Sequence, residues 1–213
     1  MQPDCNSQST HSTSSRCPLA RLLCTVPVLL ALCSLPGHHA LAQQLPVIDN
    51  SASSIGGDFT LTDHHGHEFT LASLRGSVVV LLFGYTSCPD ICPTELNVVS
   101  SLLKQYKQPV VKAVFVTVDP ARDTVDKLAN YVSFFHPAIT GLTGSNREIA
   151  DVASQYHVRF SRHGEPDNYS IDHSSGIFII DSANTVRAIA PFGATADHLS
   201  RIIDPLIQAR INN

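Results

Sequence analysis

The chain has 213 residues, enough for one domain and a short extra segment, and 43% hydrophobic against 15% charged residues supports a real core. Fourteen basic against eighteen acidic residues leave a formal charge of -4, without the basic surplus that a nucleic-acid footprint needs. Tryptophan is absent and methionine occurs once, which excludes a Met-rich soft-metal site.

In chain order, residues 1–21 are mostly polar and carry Arg16 and Arg21. An apolar stretch from Leu22 to Leu35 follows, broken only by Thr25, Pro27 and Ser34, and then Pro36, Gly37 and Ala40-Leu41-Ala42. The stretch is short for a bilayer, which takes roughly 20 apolar residues, and Ala-Leu-Ala has the small-x-small form of a signal-peptidase site. Residues 1–42 therefore read as a signal peptide cleaved after Ala42, with an uncleaved membrane anchor as the alternative. A lipoprotein site at Cys33 fits less well, because Leu32 is a poor residue before a modified cysteine. Either reading puts the folded part outside the cytoplasm, in the periplasm or on the outer face of the inner membrane.

Residues 43–57 form a Pro/Ser/Gly-rich linker, and residues 58–213 one domain. Phe59-Thr60-Leu61 and Glu68-Phe69-Thr70-Leu71 flank a turn at Gly66 and predict a β-hairpin. Val78 to Phe83 is a continuous apolar, β-branched run, predicted as a buried central strand. Gly84 to Pro93 reads as a loop and Thr94 to Lys107 as a helix, with Leu96, Val99, Leu102 and Leu103 on one face. Val110 to Val118 is a second buried strand. Asp123 to Phe135 and Asn146 to Tyr156 follow as helices, capped by Asp123 or Thr124 and by Asn146. Ser161 to Asp172 is polar and reads as an inserted loop. Gly176 to Asp181 and Thr185 to Pro191 form a hairpin turning at Ser182-Ala183-Asn184, and Thr195 to Arg210 is an amphipathic closing helix. A β-α-β unit, a later antiparallel hairpin and a last helix define an α/β, thioredoxin-like fold with an added N-terminal β-hairpin.

Of six cysteines, Cys5, Cys17, Cys24 and Cys33 fall in the targeting segment, leaving Cys88 and Cys92 in the domain. A disulfide closing so small a loop constrains little of the unfolded chain, so chemistry explains the pair better than structure. Cys88-Pro89-Asp90-Ile91-Cys92-Pro93 lies where the first central strand feeds its helix, and the helix dipole there favours thiolate. Thioredoxin-like redox motifs are one residue shorter; the wider spacing still permits a disulfide and also suits clasping an ion. Two thiolates are a soft set that matches Cu(I), and an added imidazole also suits Cu(II). His173, in the loop before the Ile177-Phe178-Ile179-Ile180 strand, is the histidine best placed to meet them, with Asp172 and Ser174 as candidates to orient it. Zinc could use the same ligands with a water.

His64, His65 and His67 around Gly66 make a solvated turn, with a weak auxiliary metal site as the alternative. His136, His157, His163 and His198 are surface or helix-end residues. Asp119 to Thr124 is a strand-to-helix turn rather than a source of ligands, since hard carboxylates suit Cu(I) poorly. Pro93 fits the first turn of a helix.

The run Phe83-Gly84-Tyr85-Thr86-Ser87-Cys88-Pro89-Asp90-Ile91-Cys92-Pro93-Thr94 resembles the signature of the Sco/SenC family of copper chaperones. Val118-Asp119-Pro120-Ala121-Arg122-Asp123-Thr124 and Asp172-His173-Ser174 match further family motifs, in order, and the similarity runs from about Phe59 to the closing helix. The resemblance implies a thioredoxin fold that binds Cu(I) or Cu(II) through Cys88, Cys92 and His173. It also implies a partner, the copper-centre subunit of cytochrome c oxidase, to whose binuclear centre copper is delivered or whose thiols are reduced. A thiol–disulfide oxidoreductase cycling Cys88 and Cys92 is the alternative. A thiol peroxidase is a distant third reading, for want of a positively charged pocket around one attacking cysteine.

Overall fold

The structure, a computed structural model, describes residues 55–106, 110–166 and 168–211. Residues 1–42, read from the sequence as a targeting segment, and most of residues 43–57, read as a linker, lie outside the described residues. In chain order come β1 (Thr60–Asp63), β2 (Glu68–Thr70), a 3-10 turn (Leu71–Leu74), β3 (Val78–Gly84), α1 (Ile91–Leu103), β4 (Val111–Thr117), α2 (Val125–Ser133), β5 (Ile139–Thr143) and α3 (Asn146–Gln155). Then follow β6 (Phe160–Glu165), β7 (Asn168–His173), β8 (Ile177–Ile180), β9 (Val186–Ala190) and α4 (Ala196–Ile211).

A seven-residue apolar run with no polar break belongs in a strand covered on both faces. Every residue of β3 is buried, and it lies inside a seven-stranded sheet ordered β2-β1-β5-β4-β3-β8-β9. β3, β4 and β5 run parallel, while β8 pairs antiparallel with β3 and with β9. The β3–α1–β4 unit, the β8–β9 hairpin and α4, which lies against α1, give the thioredoxin-like core. The N-terminal hairpin extends the sheet by pairing β1 with β5. Its turn is at Gly66, whose φ of 81° is left-handed and suits a residue without Cβ. Asn184, the other residue expected in a tight turn, also has a positive φ, 65°.

Four local expectations are corrected. First, α1 begins at Ile91 rather than Thr94; Pro93 needs no N–H in the first turn and does not mark the start. Second, β5 was not anticipated, because Ile139-Thr140-Gly141-Leu142-Thr143 is short and contains Gly141. That glycine has a reason: a Cβ there would lie 3.1 Å from Val132 Cγ1 of α2. Third, α3 is capped by Ser145, not Asn146, in a capping box with Glu148, and α2 is capped by Thr124. Fourth, the polar stretch 161–172 is not a loop but most of an antiparallel β6–β7 hairpin, paired from Phe160↔His173 to Glu165↔Asn168. All of β6 is exposed, so its sequence carries no hydrophobic alternation to announce a strand.

Candidate metal centre

The site forms where β3 ends. A Cβ on Gly84 would stand 2.7 Å from Cys92 Sγ and 2.8 Å from Phe115, so only glycine lets the first turn of α1 pack there. Cys92 is then the second residue of α1 and buried, while Cys88 on the preceding loop is half-buried. Both sulfurs are free thiols.

The loop is held by one carboxylate. Asp123, fully buried, accepts hydrogen bonds from Thr86 N (2.9 Å), Thr86 Oγ1 (2.6 Å) and Thr117 Oγ1 (2.7 Å). Lys127 Nζ stands 3.5 Å from Asp123 Oδ1, which also accepts from Thr86 Oγ1, and 3.2 Å from Ser87 Oγ. The segment leading to Cys88 is therefore tied to the end of β4 and the start of α2 by charge-assisted bonds, each stronger than a neutral one.

His173 arrives from the end of β7. Its Nε2 is 3.6 Å from Cys92 Sγ, and its Nδ1 is 3.0 Å from Ser174 O. A carbonyl accepts only, so Nδ1 carries the hydrogen and the Nε2 lone pair faces the sulfurs, the tautomer a metal ligand needs. Tyr85 packs edge-on against the imidazole with centroids 6.1 Å apart. The donor atoms of Cys88, Cys92 and His173 all lie within 4.8 Å of one another. Among the described residues no other cluster of three or more His, Cys, Asp or Glu side chains could hold an ion.

Of the two groups expected to orient His173, Ser174 does so through its carbonyl. Asp172 does not: neighbouring strand residues point to opposite faces, and its carboxylate meets His163 Nε2 at 3.2 Å. His163 is a surface residue, as expected, and its partner is that carboxylate. His64 is not simply solvated, since its Nδ1 accepts from Gly141 N at 3.0 Å and ties the N-terminal turn to β5.

Burial works against the thiolate form at Cys92. Burial pushes its thiol well above the ordinary cysteine range, and a backbone hydrogen bond with Tyr85 opposes this only in part. The proton therefore stays on sulfur until a metal displaces it, so metal uptake releases it.

Glu95, one turn along α1, is a buried acid without an ion-pair partner among the described residues. It is 3% exposed, its Oε1 has no partner, and burial raises its pKa from 4.5 to about 7. At about 1.4 kcal/mol per tenfold, the ionised carboxylate is disfavoured in the fold by about 3 kcal/mol. The unfolded chain gives up this proton near pH 4.5 and the folded chain near pH 7, so stability falls as pH rises between these values. Glu95→Gln is expected to raise the unfolding free energy by about 1–3 kcal/mol above pH 7 and to change little below pH 4.5. Denaturant melts across that range check it.

A thioredoxin-like sheet with a Cys-Cys-His group at the end of its central strand defines a protein with a soft-metal or thiol site rather than a hard-ion one. Comparison narrows this class. The SCO1/SenC family model matches residues 48–208, and the chain belongs to that family. It is 41% identical over 168 residues to a SCO2-like protein of Rickettsia conorii, covering 76% of this chain and 81% of that one. It is 42% identical over 151 residues to the mitochondrial SCO2 homolog of Bos taurus, covering 68% of this chain but only 53% of that protein. Among solved structures, Arabidopsis thaliana ScoI with copper bound superposes with a TM-score of 0.68 at 36% identity, over 73% of this chain and 99% of that one. Yeast Sco1 with copper bound gives 0.68 at 33% identity, over 73% and 90%. Relatives of this fold thus hold copper, and the Cys-Cys-His group here is a donor set suited to it.

Proposed function

We propose that this chain binds one copper ion through Cys88, Cys92 and His173 and passes it to the binuclear copper centre of cytochrome c oxidase. The observation that carries the reading is the convergence of two sulfurs and one correctly tautomerised imidazole nitrogen within 4.8 Å. Two thiolates satisfy Cu(I), and the imidazole extends the set to Cu(II). Cys88 and His173 are partly exposed, so an acceptor's thiols have a route to the metal, and copper moves by ligand exchange. Zinc would fit three such ligands and a water; the copper-bound relatives favour copper. Residues 1–42 act in this reading as a signal peptide or membrane anchor, residues 43–57 as a linker, and residues 58–213 as the copper domain in the periplasm or on the outer face of the inner membrane.

A second reading rests on the same two sulfurs. As free thiols they could reduce an acceptor disulfide: two electrons and two protons pass to the acceptor while Cys88 and Cys92 become a disulfide. The deciding experiment mixes copper-loaded protein with the metal-free copper-centre domain of the oxidase and follows the acceptor's visible spectrum. Copper appearing in the acceptor, with the donor's cysteines still reduced, supports the chaperone reading. Acceptor thiols appearing with the copper left behind supports the reductase.

A further inference from the structure

His173 is delivered by a two-stranded arm outside the main sheet, and a lone two-stranded hairpin is marginally stable at best in water. β6 contributes no buried residue, so something else must fix the arm. β7 alternates, and its buried residues are Tyr169 and Ile171. By the two-residue period of a strand, these share a face with His173. Both are seized by groups from the ends of β3 and β4. Ile171 N donates to Tyr85 Oη at 3.3 Å. Tyr169 Oη donates to Asp119 Oδ1 at 2.8 Å, and Tyr169 O accepts from Arg122 Nη1 at 2.9 Å. The Arg122 guanidinium lies 3.6 Å from the Tyr169 ring centroid, and its Nε pairs with Asp119 Oδ2.

We infer that Asp119, Arg122 and Tyr169 form a clamp that positions His173, and that Arg122 is the positioning residue whose loss turns a three-donor site into a two-sulfur site. The inference rests on the copper reading proposed above. Burial is the argument for a positioning role: Asp119 is 1% exposed, and Arg122 Nη2 is buried without a partner. An ion pair of a buried acid with a half-buried arginine that carries an unmatched buried donor is weak evidence for stability, and fixing a register is the best-attested use of such pairs. The geometry agrees, because each contact falls on the strand that ends in His173. Arg122 is suited to this as lysine is not: a planar fork reaches a carboxylate and a carbonyl while its face stacks on a ring. The cysteine loop is held by a different carboxylate of that turn, Asp123, which Thr117 Oγ1 links to the clamp by donating to Asp123 Oδ2 and accepting from Asp119 N. Thiolates and imidazole therefore hang on different carboxylates of one turn, Asp123 for the cysteine loop and Asp119 with Arg122 for the strand that ends in His173.

The test uses the full-length protein with Arg122→Ala, Arg122→Lys and Tyr169→Phe, and two readouts. Without metal, the nuclear Overhauser contact between the Tyr85 and His173 rings reports the arm. It is expected to vanish in Arg122→Ala and to weaken in Arg122→Lys and Tyr169→Phe. With copper, Arg122→Ala is expected to keep one Cu(I) per chain on its thiolates. Its Cu(II) spectrum is expected to lose the imidazole-nitrogen couplings and become that of His173→Ala, with Cu(II) affinity down about 10- to 100-fold, the usual effect of losing a group that orients a ligand. Parental ring contact and parental Cu(II) couplings in folded Arg122→Ala would overturn the clamp. If Arg122→Ala does not fold, Tyr169→Phe decides by the same readouts. If the parent takes up no copper, the copper reading fails, while the metal-free ring contact still decides the clamp.

Discussion

Asp123→Ala is expected to lower the unfolding free energy by about 3–5 kcal/mol, the range for removing one partner from a buried charged network. The substitution strands three donors at once: Thr86 N, Thr86 Oγ1 and Thr117 Oγ1. Each unsatisfied buried group costs about 1–3 kcal/mol, partly recovered as the loop relaxes toward water. That relaxation is the functional consequence, because the loop carries Cys88. Denaturant unfolding should show the loss, and thiol labelling of the folded protein should show Cys88 reacting faster. Asp123→Asn retains shape but puts an amide where an acceptor is needed, so it should fall between the two. An Asp123→Ala melt within 1 kcal/mol of the parent would mean that the loop is held by something else.

The second large effect is at Cys92. Cys92→Ser is expected to weaken Cu(I) binding by more than about a hundredfold, beyond what loss of an indirect partner costs, because a hydroxyl is a hard, protonated donor. The fold should survive at a cost of about 1–2 kcal/mol for a buried hydroxyl beside Gly84 and Phe115. The variant also cannot form a disulfide, so it silences transfer and thiol exchange together. His173 separates the two: His173→Ala should bind Cu(II) more weakly and without imidazole couplings, yet keep most dithiol exchange with an acceptor. Competition against a Cu(I) chelator measures the first effect, and unchanged affinity in Cys92→Ser would remove that sulfur from the site.

Much of this was legible in the sequence. The unbroken Val78-to-Phe83 run announced the central strand, and the Cys-x-x-x-Cys spacing at its end announced the site, because both are local patterns. His173 was legible by topology, as the histidine in the segment leading into β8, the strand neighbouring β3. The orienting partners were not. Asp119, Arg122 and Asp123 read as a strand-to-helix turn, since a charged cluster looks the same solvated or buried. Only the packing of β7 over that turn makes it a clamp. Tyr169 and Tyr85 carried no signal either, because their hydroxyls find partners across 50 and 86 residues of chain. Asp172 misled because adjacency in sequence means opposite faces in a strand. The state of Cys92 also turned on the fold, since burial there raises the thiol and the Tyr85 backbone hydrogen bond opposes this only in part.

The most direct test of the three-donor site is copper binding by the reduced protein, with stoichiometry and the Cu(II) absorption spectrum, repeated on His173→Ala. The site predicts one copper per chain and sulfur-to-copper charge-transfer bands that are altered or lost in the variant. Absence of tight copper, or a spectrum and affinity indifferent to His173, would contradict it and leave Cys88 and Cys92 as a redox pair.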